Sequence, residues 1–243
     1  MRPGARGEAE KWTTIWSIPR DVFITGASGY IGRRLVDALV ARGHRVRALV
    51  RAESAGRVPA GATSVVGNAL DASTFAPAVT AADTIVHLVG TPHPSPKKAA
   101  EFRRVDLPSI LASVEAARRA GAPHLVYVSV AHPAPVMHAY IEVRSAGERA
   151  IAEAGLTATI LRPWYVLGPG HRWPYLLVPF YAIARLVPSR RETARRLGLV
   201  TLSQMVDALV RAVEHPPAAR QIRIVEVPEI RSNAARSPQP AAS

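Results

Sequence analysis

The chain has 243 residues, 48% of them hydrophobic, which suffices for a full core in one large domain. It contains no cysteine, which excludes a disulfide framework and a thiolate metal site and suits a reducing compartment. The net charge of +13 rests almost wholly on arginine, the only lysines being Lys11, Lys97 and Lys98. Those arginines are scattered and only 6% of residues are aromatic, which argues against a nucleic-acid reader.

No apolar run reaches the ~20 residues that span a bilayer. The longest, Leu176 to Val187, is broken by Pro179 and Arg185. Arg2 and Arg6 are followed by Glu8 and Glu10 rather than by an apolar segment, so a secretory signal is not expected and a cytoplasmic location is. Peripheral contact with a membrane or a protein complex stays open.

Residues 1–20 read as an N-terminal extension, with Trp12, Ile15 and Trp16 available to pack on the domain. Residues 21–231 read as the folded unit, and 232–243, rich in Ala, Ser and Pro, as a disordered tail. Within the unit, strand and helix patterns alternate. Val22 to Thr25 is a short apolar run ending at glycine, a buried strand. From Tyr30 a helix follows with Ile31, Leu35, Val36, Leu39 and Val40 on one face, closed by Gly43. Strands are expected at Arg45 to Val50, Thr63 to Val66 and Thr84 to Val89. A helix runs from Ala99 to Ala120 and ends at Gly121. Leu125 to Ser129 is the fifth strand, Tyr140 to Ala154 a helix, and Thr157 to Leu161 the sixth strand. Thr201 and Gln204 form a capping box for a last helix, and Gln221 to Val227 is a candidate final strand. Alternating β and α elements with near-continuous apolar strands predict an α/β fold with a parallel sheet covered on both faces, whose ligands bind beyond the strands' carboxyl ends.

Gly26, Gly29 and Gly32 give the pattern GxxGxxG between a strand and a helix, within a βαβ unit. In that context the first glycine allows a tight turn, the second lets backbone approach a pyrophosphate, and the third permits close helix–strand packing. The helix N-terminus adds free N–H groups for phosphates. At the end of the second strand, where NAD-specific sites place an acid, stands Arg51, and no acid follows until Glu53. A guanidinium suits a 2′-phosphate, so NADP is expected over NAD, with NAD possible.

Several further motifs occur in order: Thr25 to Gly32 (TGASGYIG), the turn Gly67-Asn68-Ala69-Leu70-Asp71, Tyr127-Val128-Ser129, Tyr140 with a base four residues on, and Leu161-Arg162-Pro163. Over about residues 21 to 215 they resemble the short-chain dehydrogenase/reductase superfamily. The likeness is to its atypical and extended branch of NAD(P)H-binding reductases, epimerase/dehydratase-like proteins and the nucleotide-binding accessory subunit of respiratory complex I. The resemblance implies a Rossmann-type doubly wound sheet with a small C-terminal substrate region. It implies that Ser28, Tyr30 and Ile31 belong with the glycines to the phosphate turn, that Asn68 and Leu70 lie near the adenine, and that Leu88 and Gly90 line the adenosine half of the groove. Pro163 is then expected to border the nicotinamide.

The resemblance also implies a catalytic set: a tyrosine, a lysine four residues later that lowers the tyrosine pKa and holds the ribose, and a serine after the fifth strand. Tyr140 fits, Arg144 stands where the lysine is expected, and Ser129 is the serine candidate. The family's second serine corresponds to Val130, which leaves His132 or His138 as alternative polarising groups. Helical spacing alone offers Arg144 an ion pair with Glu148. The histidines show no metal-ligand spacing and no metal is expected. Trp164 to Tyr175, unusually aromatic, is a candidate apolar wall or lid over the nicotinamide end, or a surface for a partner or membrane, with core packing as the plainer alternative. The expected function is an oxidoreductase acting on a small apolar or quinone-like carbonyl substrate. The alternative is a non-catalytic NADP(H) sensor or accessory subunit.

Overall fold

The computed structural model describes residues 18–134, 136–168 and 197–232. The main sheet has seven strands in the order β3-β2-β1-β4-β5-β6-β9, all parallel. These are β1 (Asp21–Thr25), β2 (Arg45–Val50), β3 (Ala62–Val66), β4 (Thr84–His87), β5 (Leu125–Val128), β6 (Ala158–Arg162) and β9 (Ile222–Glu226). A second sheet pairs β7 (Tyr165–Leu167) with β8 (Leu199–Thr201) in parallel. The helices are α1 (Tyr30–Ala41), α2 (Ala76–Val79), α3 (Ala99–Glu101), α4 (Leu107–Ala120), α5 (His138–Glu153), α6 (Leu202–Glu214) and α7 (Val227–Ser232).

Side chains alternate across a strand, so each face of the sheet gathers its own core. Val22 and Ile24 of β1 face α1 and α6, joining Leu35, Leu39, Met205 and Leu209. Phe23, between them in sequence, faces the other way and joins Ile85, Ile110, Tyr127 and Ile151 under α4 and α5. Each such fully buried side chain contributes roughly 1.5–3 kcal/mol. With both faces covered, the functional surface is left to the strand ends.

Three local devices fix the helices. Gly121, left-handed at φ 61°, closes α4, and the next amide, that of Ala122, donates back to the Ala117 carbonyl at 3.0 Å. The capping box forms: Thr201 Oγ1 accepts from the Gln204 amide at 3.2 Å, and Gln204 Oε1 accepts from the Thr201 amide at 2.9 Å. The third device lies inside the helical run expected from Ala99 to Ala120. Residues Phe102–Asp106 form a π-turn between α3 and α4, two residues before Pro108. Pro108 has no N–H to donate into the preceding turn, and the wider turn absorbs that loss.

Boundaries move by one or two residues elsewhere. β4 stops at His87 and β5 at Val128, α5 begins at His138, and α7 runs through Ser232, one residue into the stretch expected as tail. Trp12, Ile15, Trp16, most of the aromatic segment and most of the tail lie outside the described residues.

Candidate cofactor and catalytic site

At the carboxyl end of β1 the chain turns sharply through Gly26, whose φ is 77°. A Cβ there would lie 2.8 Å from the Leu88 carbonyl carbon and 2.9 Å from the Val89 nitrogen, so only glycine lets the turn pass beneath the end of β4. A Cβ on Gly32 would strike the Gly26 carbonyl and come within 2.8 Å of the Ala27 Cα. Gly29 is exposed at the N-cap of α1 with no side-chain cap and no acid in the first turn. The helix therefore opens with its first-turn N–H groups directed outward from a backbone-only rim. That is a fit for a pyrophosphate. Ser28 is half-buried on the rim, and Ile31 packs into the core under α1. The hydroxyl end of Tyr30 lies against Gly168, which follows β7.

Arg51 follows β2 with its side chain 75% exposed, in an ion pair with Glu53 at 3.2 Å. Asn68 is exposed after β3, and its Oδ1 accepts from the Leu70 amide at 3.0 Å, which holds a tight turn and leaves Leu70 40% exposed. Leu88 and Gly90 follow β4 and are half-buried. Pro163 follows β6, and its carbonyl accepts from the Ala131 amide at 2.9 Å. All these positions lie at the carboxyl edge of the sheet, where the parallel register collects them.

Tyr140 and Arg144 lie one turn apart on α5, and the Arg144 guanidinium carbon sits 5.0 Å from the Tyr140 ring centroid. The expected Arg144–Glu148 pair is corrected. Arg144 reaches the π-turn and β5 instead, donating from Nη2 to Asp106 Oδ1 at 2.7 Å and from Nη1 to the Val128 carbonyl at 3.1 Å. Asp106 is buried, and its other oxygen accepts from the Thr91 amide (3.0 Å) and hydroxyl (2.6 Å). Burial works against the Arg144 charge, but the neighbouring Tyr140 and Tyr127 oxygens and Asp106 outweigh it and raise its pKa above the usual arginine range. The guanidinium packs directly under Gly90, where a Cβ would collide with Nη2. This contact joins the tyrosine of α5 to the end of β4 and so to the glycine turn. Phe102 also packs on the Tyr140 ring, centroids 4.9 Å apart.

Ser129 is brought to the same edge, but its hydroxyl donates to Glu148 Oε1 at 2.5 Å, and Val130 beside it is buried. Glu148 is held in turn by Arg162, from Nε at 3.0 Å and Nη2 at 2.5 Å, and Arg162 reaches Glu226 at 3.1 Å. Arg162 thus takes the carboxylate that helical spacing offered to Arg144. Burial raises the Glu148 pKa, but Arg162 and Ser129 more than offset this and hold it below the usual carboxylate range. His132 is 3.5 Å from Glu148, and His138 is the first residue of α5.

Behind the site, His87 is fully buried, with Nδ1 3.0 Å from Thr25 Oγ1 and 2.8 Å from Ser113 Oγ. Burial first, then the Arg144 charge, pushes its pKa down to about 3, so it is a neutral core imidazole. Among the described residues no group of three or more His, Asp or Glu side chains could hold a metal ion, and no helix is long and apolar enough to cross a membrane.

Sequence spacing did not point to Asp106. A signal existed: it lies four residues after Phe102 and four before Ile110, on the apolar face of the helical run, where a carboxylate must find a cation.

A strand–glycine-turn–helix unit leading a 3-2-1-4-5-6 parallel sheet defines a dinucleotide-binding fold, and a tyrosine and a cation stand on the helix after β5. The chain belongs to the NAD(P)H-binding family, whose model matches residues 26–172. It is 30% identical over 194 residues to the ceramide reductase of Caulobacter vibrioides, covering 79% of this chain and 59% of that protein. It is 32% identical over 168 residues to a farnesyl-dihydroquinoline-oxide ketoreductase of Stigmatella aurantiaca, covering 60% and 50% of the two chains. This chain therefore spans between half and three-fifths of the length of these relatives. Its fold matches the Bordetella bronchiseptica enzyme WbmH in complex with NAD+, with a TM-score of 0.62 at 23% identity, over 81% of this chain and 73% of that one.

Proposed function

We propose that this protein is an NADP(H)-dependent oxidoreductase that reduces the carbonyl group of a small apolar molecule. The observation that carries this reading is the contact of Arg144 with both Gly90 and the Tyr140 ring, which links the α5 tyrosine to the end of β4 beside the glycine turn. Two of the relatives are named as reductases of a ceramide and of a farnesylated quinoline oxide, which supports an apolar substrate. In this reading the amides of Gly29 to Gly32 hold the pyrophosphate, Ser28 lies beside it, and Arg51 exchanges Glu53 for the 2′-phosphate. Asn68 and Leu70 border the adenine, Leu88 and Gly90 the groove floor, and Pro163 the nicotinamide.

The bound cofactor supplies the hydride. Tyr140 gives its hydroxyl proton to the substrate oxygen as negative charge develops there. Arg144 keeps a fixed positive charge against the Tyr140 ring, and Asp106 and the Val128 carbonyl fix its position. Ser129, whose hydrogen is committed to Glu148, anchors the network that holds α5 to β6 rather than polarising the substrate. That commitment, with Val130 beside it, also favours a second reading, an NADP(H)-binding accessory protein without turnover.

A screen of apolar ketones and quinones with NADPH, repeated with Tyr140→Phe, separates the two. The reductase reading expects turnover that falls by roughly a hundredfold or more in the variant while NADPH affinity holds. Turnover that survives Tyr140→Phe defeats the assignment, and NADPH binding without turnover on any compound selects the accessory role.

A further inference from the structure

The amino ends of the strands carry a second concavity, at the opposite edge of the sheet from the cofactor turn. It is a cleft of about 690 Å³ between the C-terminal ends of α4 and α5 and the loop that precedes β9. Strand register builds its floor. The Ile85 amide donates to the His124 carbonyl, Leu125 to Thr157, and Ala158 to Gln221, so the residues leading into β5, β6 and β9 stand in one row. The strands are four to five residues long, so this row lies about 15 Å along the strand direction from the sheet's carboxyl edge.

The lining is cationic on an apolar body. Pro123, Leu156, Pro216 and Pro217 form walls, and Arg20, Arg118 and Arg220 stand around them. Asp83 is the one carboxylate in the lining, and its Oδ2 already accepts from the Asp21 amide at 2.8 Å. Within the lining three arginines stand against one aspartate, and Arg118 is further paired with Glu115. Glu115 steadies Arg118 from outside the cleft, at 3.2 and 3.3 Å. Arg220 is held in the left-handed region at φ 62°, its amide donating to Thr157 Oγ1 at 2.7 Å. Its guanidinium has no partner among the described residues. The helix ends that border the cleft are capped by backbone, the Ala122 amide closing onto Ala117 and the Leu156 amide onto Ile151.

We propose that this cleft binds a small organic phosphate. A phosphate monoester is a strong anion at neutral pH, and the guanidinium forks of this lining suit its oxygens. The volume exceeds what a bare phosphate fills and lies in the range of small-molecule sites, and the proline walls suit an organic body.

The test uses the full chain, amide NMR shifts and inorganic pyrophosphate as probe, with Arg118→Gln/Arg220→Gly and Arg51→Ala as variants. Glycine adopts the backbone of position 220 without strain, so the double variant keeps the fold. Expected are saturable shifts at Thr157, Arg220 and Gln221, unchanged in Arg51→Ala and weakened about tenfold or more in the double variant. Shifts confined to residues 26–32, or shifts near the cleft that the double variant leaves intact, overturn the proposal.

Discussion

The two halves of the carboxyl edge are built from different materials. Around the glycine turn the surface is backbone: three glycines, a helix N-terminus without a side-chain cap, and an exposed Arg51. Around Tyr140 it is side chain: Asp106 binds Arg144, Arg162 binds Glu148, and Glu148 takes the Ser129 hydrogen. A backbone rim works by leaving space and unpaired amides, so it fails when a Cβ is added. The ion-paired half works by fixing charges in a buried setting, so it fails when one partner is removed.

The largest effect should come from the ion-paired half. Asp106→Ala strands the Arg144 charge in the core and should lower unfolding free energy by about 3–5 kcal/mol, measured by denaturant titration. A loss under about 1 kcal/mol would mean that water reaches the pair and that the half is not closed. In the backbone half, Gly32→Val should weaken NADPH binding by more than about a hundredfold, because the obstacle is backbone that cannot move aside. Retained affinity would show that the phosphates bind elsewhere.

Acid should discriminate next. His87 and His124 have pKa values pushed down to about 3 and about 4 by burial, with Arg144 and Arg20 respectively adding to it. Below about 6.5 the unfolded chain binds protons that these folded imidazoles refuse, so stability falls with falling pH. His87 alone accounts for up to about 1.4 kcal/mol per pH unit between its unfolded and folded pKa values. His87→Gln should flatten that slope in thermal scans from pH 6.5 to 4. Glu148 acts lower: its folded pKa lies under the ordinary 4.5, so its contribution is full above that value and drains away as pH falls through the depressed one.

The same division explains what the sequence could reveal. The glycine turn, the strands and the Thr201–Gln204 box are local patterns, and local patterns are legible in a chain. Asp106 and Arg144 stand 38 residues apart. Arg162 reaches Glu148 across 14 residues and Glu226 across 64. Helical spacing gave Arg144 the nearest acid, but a long side chain on the buried side of α5 finds the acid that packing brings to it. The π-turn was missed because Pro108 near a helix start is ordinarily compatible with a regular helix. In this run the helix had already begun at Ala99.

The most direct test of the account is a fluorescence titration with NADPH and NADH, run on the native chain and on Arg51→Ala. NADPH should bind more tightly than NADH, and the variant should lose about tenfold in NADPH affinity with NADH little changed, as expected for one exposed guanidinium on a phosphate. Equal affinities that Arg51→Ala leaves untouched would contradict the cofactor preference, and failure of both nucleotides to bind would contradict the site itself.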